Sequence, residues 1–377
     1  MRAFDSIRRS TTARLRMNAM VPFRMLRSGS ICLALAVLGG CASPPLKPVD
    51  SSAGARLVER YTTTPSPADN IDSVATWRGP DGRHWLFASA KDVDNLAVFD
   101  ADTGEHLRRV GGPGSAPGQF ERPNGIAVID DMLFVVERDG HRVQVLSLPD
   151  FRTLTIFGAN ELRVPYGLWI DRADGGYLVY VTDSYQLPDG SPPPLEQLSE
   201  RVKRYTLKRD GDQIVVTFAG SFGDTSSSGA LRWVESIHGD PVNGRLLIAE
   251  EYLASGSTLR VYDMSGKYLG VDLDPSHFDG QAEGIALWEC GDGGGYWLAT
   301  DQRDDGNRFQ VFDRVTLKHL GSFSGRNTSN TDGIHLQSAP SSAFPQGVFF
   351  AVHDDQAVSA FDWRDIAKSL NLSESCQ

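Results

Sequence analysis

The chain has 377 residues, 40% of them hydrophobic and 9% aromatic, with 48 acidic against 37 basic side chains and a formal net charge of −11. That is enough apolar material for one large core or two ordinary ones. The negative balance argues against nucleic acid or an anionic membrane surface as a partner, and a polyanionic small molecule would need local basic residues or bridging cations.

At the N-terminus, Arg8, Arg9, Arg14, Arg16, Arg24 and Arg27 precede an apolar run from Ile31 to Val37 that ends in Leu38-Gly39-Gly40-Cys41. A basic region, a short apolar stretch and small residues describe a secretory signal, too short to be a spanning helix. The L-x-G-C sequence resembles a bacterial lipobox, which implies a lipidated Cys41 as the mature N-terminus; an ordinary signal peptide with a chance cysteine is the alternative. The long arginine-rich stretch leaves Met17, Met20 and Met25 open as start sites. The expectation is an exported bacterial lipoprotein held in the cell envelope by its N-terminal lipid, with the outer membrane favoured if the cell is Gram-negative, because Ala42 is no aspartate retention signal. With Cys32 in the leader and Cys41 lipidated, Cys290 and Cys376 are left, either as one disulfide or as two free thiols. No CxxC or HExxH is present, hence no zinc signature.

Residues 41–60, rich in Pro, Ser, Thr and Ala, read as a tether after the 1–40 leader. From 61 to 370 short strands dominate, with no amphipathic helix before Asp365–Leu370, and 371–377 form a tail. An opening motif recurs six times: "DSVAT" at 72, "NGIAV" at 124, "YGLWI" at 166, "ESIHG" at 235, "EGIAL" at 283 and "DGIHL" at 332. Most intervals match the roughly 40–50 residues of a four-stranded propeller blade. The longest, after 166, holds the Pro-rich insertion Gln186 to Glu200. Each unit repeats one strand order, as in "EGIALW", "GYWLATDQ", "RFQVFDR", "HLGSF", broken by Gly- and Asp-rich turns. The sixth unit lacks a fourth strand, and the segment from Leu57 to Thr63 is expected to supply it. The fold class is therefore an all-β, six-bladed β-propeller closed by an N-terminal strand; an irregular sandwich or a seventh blade is the alternative.

In a blade the first strand lies beside the central channel and the second runs antiparallel to it, so the start of one and the end of the other share a rim. The first-strand position presents Asp72, Asn124, Tyr166, Glu235, Glu283 and Asp332. The second-strand ends present Lys91, Arg138, Asp183, Glu250 with Glu251, Asp301 with Gln302, and His353 with Asp354. Converging carboxylates repel unless protonated or neutralised, and hard oxygen donors without a histidine or thiol cluster favour Ca²⁺. Single acids before a strand are common turn residues; their registration by one repeat is what points to a metal-binding rim.

The segments "GRLLIAEE", "AEGIALWECGDGGGYWLATDQ", "FQVFDR" and "TDGIHLQSAPSSAFPQGVFFAVHDD", with "SAKDVDNLAVFDADTGEHLRRVG" in the first unit, resemble the β-propeller phytase family over roughly Tyr61 to Ala367. The resemblance implies calcium-dependent release of phosphate from phytate (inositol hexakisphosphate) or a similar phosphorylated polyol by metal-activated water, with more than one Ca²⁺. By motif it implies Asp72, Glu235, Glu283, Gln302 and Asp332 as metal-site groups and Glu250 or Glu251 in the water-activating cluster. Lys91 and Arg122 would contact substrate phosphate, and Tyr166 would line the cleft. Three positions depart from the pattern: Gln281 replaces a second carboxylate, Asp183 replaces a lysine, and the last-blade hairpin is shortened to "HDDQAVSAFDW". The second unit, "GGPGSAPGQFERPNGIAV", is equally similar to an NHL repeat, which keeps open a non-catalytic propeller binding a protein or glycan at the envelope. A calcium-dependent lactonase-like hydrolase is the third reading. A monomer with a phosphorylated small-molecule substrate and no nucleic-acid partner is expected.

Overall fold

In the computed structural model, which describes residues 54–210, 213–303 and 306–375, the six repeat units fold as six antiparallel sheets arranged as a β-propeller. Blade one is typical, with strands Ile71–Arg78, His84–Ala90, Asn95–Asp100 and His106–Gly111 in simple sequential order. The first strands of successive blades begin at Ile71, Pro123, Pro165, Ile237, Gln281 and Ile334, and each contacts the first strand of the next blade, the sixth returning to the first. The described residues belong to one compact unit, Asp50–Gln377.

The opening glycines have a steric cause. A Cβ on Gly125 would lie 2.4 Å from the carbonyl oxygen of Tyr166, on Gly167 2.2 Å from that of Glu235, and on Gly333 2.4 Å from that of Asp72. Each inner strand is thus pressed against the backbone of the next blade, and Gly333 N–H donates to the Asp72 carbonyl at 2.9 Å. A side chain there would push the blades apart.

Alternating apolar residues supply the cement between blades. Six buried clusters form, one at each blade interface: Trp77, Trp85 and Phe87 meet Leu133 and Leu146 between blades one and two, and Leu247 and Val261 meet Trp297 and Phe312 between blades four and five. Trp169 packs against Tyr180 and His238 at the interface of blades three and four. The central passage narrows below the mouth to a cavity of about 80 Å³, lined by Gly125, Gly167, Gly284 and Gly333 together with aliphatic residues such as Ile126 and Ile285.

Tyr61–Thr62 completes blade six by pairing antiparallel with Ala357–Asp362, within the segment expected to close the ring. A second strand was not foreseen: Ala55–Leu57, placed by sequence in the tether, runs parallel to His319–Gly325 as a fifth strand of blade five. The only helix of the described residues other than short 3₁₀ turns, Trp363–Leu370, is capped by Asp362 and stacks Trp363 on Trp288 with ring centroids 4.1 Å apart. Among the described residues no helix is long and apolar enough to cross a membrane. Cys290 is disulfide-bonded; its expected partner Cys376, like the 1–40 leader and the lipidation site Cys41, lies outside the described residues.

Candidate functional site

The strand pairing sorts the rim into two registers that the sequence alone had mixed. The residue before each ring position pairs with Ala90, Glu137, Asp183 and Asp301 in blades one, two, three and five. Glu250 and His353 end the second strands of blades four and six. Successive side chains on a strand point to opposite faces, so the next position, occupied by Lys91, Arg138, Ser184, Glu251, Gln302 and Asp354, has the other orientation. From this second set Lys91, Glu251 and Gln302 bond to ring residues.

The first set has a backbone task. Glu137 accepts from Glu121 N–H at 2.9 Å, Asp183 from Val164 N–H at 2.6 Å, Glu250 from Arg232 N–H at 2.6 Å and Asp301 from Gly280 N–H at 2.8 Å. Each acid ties down the loop that enters its own inner strand. Glu250 also accepts from Tyr252 N–H at 3.1 Å and is fully buried. Its expected share in a water-activating cluster therefore passes to Glu251, and Asp183 and Asp301 leave the metal rim for the same reason.

Glu235, Glu251 and Glu283 converge so that one carboxylate oxygen from each lies within 4.8 Å of the others. Glu251 and Glu283 are buried and Glu235 is partly exposed at the mouth. Glu251 is held by the backbone N–H of Glu235 at 3.1 Å. Burial first, and then the surrounding carboxylates, push all three acids well above the ordinary glutamate range. Two unit charges about 4 Å apart cost on the order of 4 kcal/mol at the effective dielectric of such sites, so the trio needs protons or a cation.

The other side of the ring carries its own cation. Lys91 Nζ donates to Asp72 at 2.7 Å and to Asp332 at 3.5 Å. Burial, the largest single effect on Lys91, pushes its ammonium down, yet Asp72 and Asp332 together outweigh it and hold it above the usual lysine range. Tyr166 Oη donates to Asp72 at 3.3 Å, Asn124 Nδ2 donates to the same oxygen at 3.4 Å, and Gln302 Nε2 donates to Asp332 at 2.6 Å. Burial and then Asp72 push the Asp332 carboxyl up to about 7. Burial and then Asp72 likewise raise the Tyr166 hydroxyl. The fully buried Asn124 leaves Oδ1 without a partner, an acceptor facing a demand that sequence reading did not attach to it.

All five expected metal-site groups, Asp72, Glu235, Glu283, Gln302 and Asp332, thus meet in one network with Lys91, Tyr166 and Glu251. The donors are carboxylate, amide and phenol oxygens, the hard donor set that oxygen-seeking divalent cations take. Arg122 stands apart. Its guanidinium pairs with Asp92 at 2.8 Å, its backbone N–H donates to Asp94 at 2.7 Å, and it holds a left-handed φ of 57°. Lys91 and Arg122 do share a depression of about 400 Å³, but Asp92, Asp94, Glu121 and Asp139 line it too.

No protein-family model and no curated protein matches the chain. Among solved structures it is similar to Kuenenia stuttgartiensis hydrazine synthase, at 13% identity and a TM-score of 0.47 over 83% of this chain and 82% of that one. It is also similar to a chain of a nidogen/laminin complex, at 14% identity and a TM-score of 0.47 over 74% of this chain and 88% of that one. Neither likeness carries an argument about activity.

Proposed function

We propose that the protein is a calcium-dependent phosphomonoester hydrolase acting on phytate or a similar phosphorylated polyol. The observation that carries this reading is the convergence of Glu235, Glu251 and Glu283 beside Asp72 and Asp332, the two acids to which Lys91 is bonded. A bound divalent cation supplies positive charge for phosphate oxygens and lowers the pKa of coordinated water. Glu235, Glu251 and Glu283 would hold that cation, with Asn124 Oδ1 as a neutral acceptor at the same mouth. Lys91 is bonded to Asp72 and Asp332 and adds charge where a phosphate would enter. Tyr166 and Gln302 fix the orientation of these two aspartates. The blades form a rigid frame, which suits a reaction that depends on placement and electrostatics and needs no covalent nucleophile.

A non-catalytic propeller is the second reading, favoured by the depression around Lys91 and Arg122, where four carboxylates outnumber two cations. Phosphate release from phytate by the lipid-free protein, with calcium and with EGTA, separates the two. Hydrolysis is expected only with calcium, and Glu283→Gln should lower it by about 100-fold or more. If calcium raises the melting temperature but wild type releases no phosphate, the cation is structural and the hydrolase reading falls.

A further inference from the structure

Blade four reaches the channel rim without a strand to carry it there. In blades one, two, three and five the ring residue sits inside its inner strand, as Glu283 does in Gln281–Glu289, whereas the inner strand of blade four begins only at Ile237, two residues after Glu235. The segment from Leu231 to Glu235 therefore lies outside the regular ladder, and its buried peptide groups need other partners.

Arg201, the residue before the third strand of blade three, Val202–Asp210, crosses the blade boundary to supply them. Its side chain is fully buried. Nε donates to the Leu231 carbonyl at 2.9 Å and Nη2 to that of Arg232 at 2.5 Å, while Nη1 donates to the carbonyls of Asp183 at 3.0 Å and Tyr185 at 2.6 Å. Most of the guanidinium's N–H groups are thus spent on backbone oxygens, two in each blade. Its carbon also lies 4.2 Å from the centroid of the Tyr185 ring. All four acceptors are carbonyls, with no carboxylate among them, and burial pushes the pKa of Arg201 down to about 10. A buried charge without a bonded counter-ion is a costly way to gain stability alone; what this one secures is geometry.

The segment held in this way leads directly to the acids. Arg232 N–H donates to Glu250 at 2.6 Å, Glu251 N–H donates to the Trp233 carbonyl at 3.0 Å, and Glu235 N–H donates to the Glu251 carboxylate at 3.1 Å. Thr182, fully buried on the second strand of blade three, Gly176–Asp183, grips Glu235 itself. Its Oγ1 donates to the Glu235 carbonyl at 2.7 Å and accepts from Gly167 N–H at 2.8 Å. Displacing 231–235 would therefore move Glu235 and Glu251 relative to Glu283. Calcium takes oxygen ligands at about 2.3–2.6 Å, so a displacement of about 1 Å removes a ligand.

We propose that Arg201 and Thr182 are positioning residues for the cation site: they hold the 231–235 segment of blade four against blade three and so set the spacing of Glu235 and Glu251 from Glu283. The inference rests on the cation-binding part of the reading above, and both residues act through the acids. Lysine in place of Arg201 keeps the charge but offers its donors from one point, and cannot span the two pairs of carbonyls.

Calorimetric titration with calcium, paired with thermal denaturation of the calcium-free protein, tests this without turnover. Arg201→Lys should weaken calcium binding at least tenfold, and Thr182→Val at least threefold. Arg314→Lys is the control. Arg314 is nearly as deeply buried and bonds Asp240 at 2.6 Å and the Gly294 carbonyl at 3.0 Å, but it follows the third strand of blade five, Arg308–Asp313, and so lies at the far end of its blade from the acids. Its replacement should lower the melting temperature and leave calcium affinity within twofold of wild type. Thr182→Val, which removes one hydroxyl and no charge, decides the matter if Arg201→Lys does not fold. Wild-type affinity in Thr182→Val, or in a folded Arg201→Lys, overturns the inference, and so does an Arg314→Lys loss as large as that of Arg201→Lys. If wild type itself shows no saturable calcium binding, the cation site and its positioning fall together. Weakened binding in the variants, beside a wild type that releases no phosphate from phytate, keeps the positioning role and removes the hydrolase.

Discussion

The two sides of the channel ring use the same repeat position and reach opposite electrostatic solutions. On the side of blades six and one, Asp332 and Asp72 share Lys91 and are further held by Gln302, Tyr166 and Asn124. On the side of blades four and five, Glu235, Glu251 and Glu283 face one another, and Lys91, committed to Asp72 and Asp332, reaches Glu235 and Glu283 only through longer-range attraction that leaves both well above the ordinary glutamate range. One half is finished by the chain itself, and the other is a demand that only protons or an added ion can meet. The difference teaches that a ring of acids is not one site: the repeat sets where the carboxylates stand, and single residues such as Lys91 decide which of them remain available.

The sharpest break in this contrast is removal of Lys91. Lys91→Met leaves the buried Asp72 and the part-buried Asp332 without their cation and should cost about 3–5 kcal/mol in unfolding free energy, read by chemical denaturation in EGTA. Restoration of most of the loss by calcium would show that both halves can be made to want an ion. A loss under about 1 kcal/mol would mean that Lys91 contributes little to the finished half.

Next in size is the pH response of the calcium-free protein. Asp332 is raised from its ordinary value of 3.8 to about 7, and the three glutamates are raised as well. An acid with a raised folded-state pKa binds more protons folded than unfolded, so its stabilising contribution is present at low pH and is lost as pH rises from about 4 to about 7. Melting temperature in EGTA should therefore fall across that window. Calcium at about 100 times its Kd should return about 2.7 kcal/mol near neutral pH, and identical curves with and without calcium would contradict the unfinished half.

The smallest effect distinguishes two adjacent acids. Glu250→Gln should leave calcium affinity within about threefold and cost roughly 1–3 kcal/mol, because two backbone N–H groups lose a charged acceptor. Glu251→Gln should do the reverse, weakening calcium binding at least tenfold with little loss in the calcium-free protein. Calorimetric titration paired with denaturation reads both; equal effects on affinity would place Glu250 in the cluster.

Much of this architecture is legible in the amino acids. Glycine or serine after each ring position marks the close approach of inner strands, and Asp72 to Asp332 can be aligned by that mark alone. What is not legible is which of two neighbouring acids faces the axis, because Glu250 and Glu251 differ only by the half-period of a strand, and the bulges at the blade openings shift the register locally. The backbone acceptor roles of Glu137, Asp183, Glu250 and Asp301 depend on that parity. The Ala55–Leu57 strand escaped notice because three residues carry no period, and the reach of Arg201 into blade four because its acceptors are backbone carbonyls, which any residue offers.

The pairing that completes blade six has a consequence for how the molecule comes to exist. Thr62 and Ser359 lie 297 residues apart and meet across that final sheet. The Tyr61–Thr62 strand must wait for the sixth blade, and loop closure over that length has to be met before any of its contacts form. Until then blade six keeps an open edge, the kind of surface on which chains mispair. Completion of the circle is therefore a late, all-or-none event in folding, and shortening the chain at either end should be felt first as slow or failed renaturation.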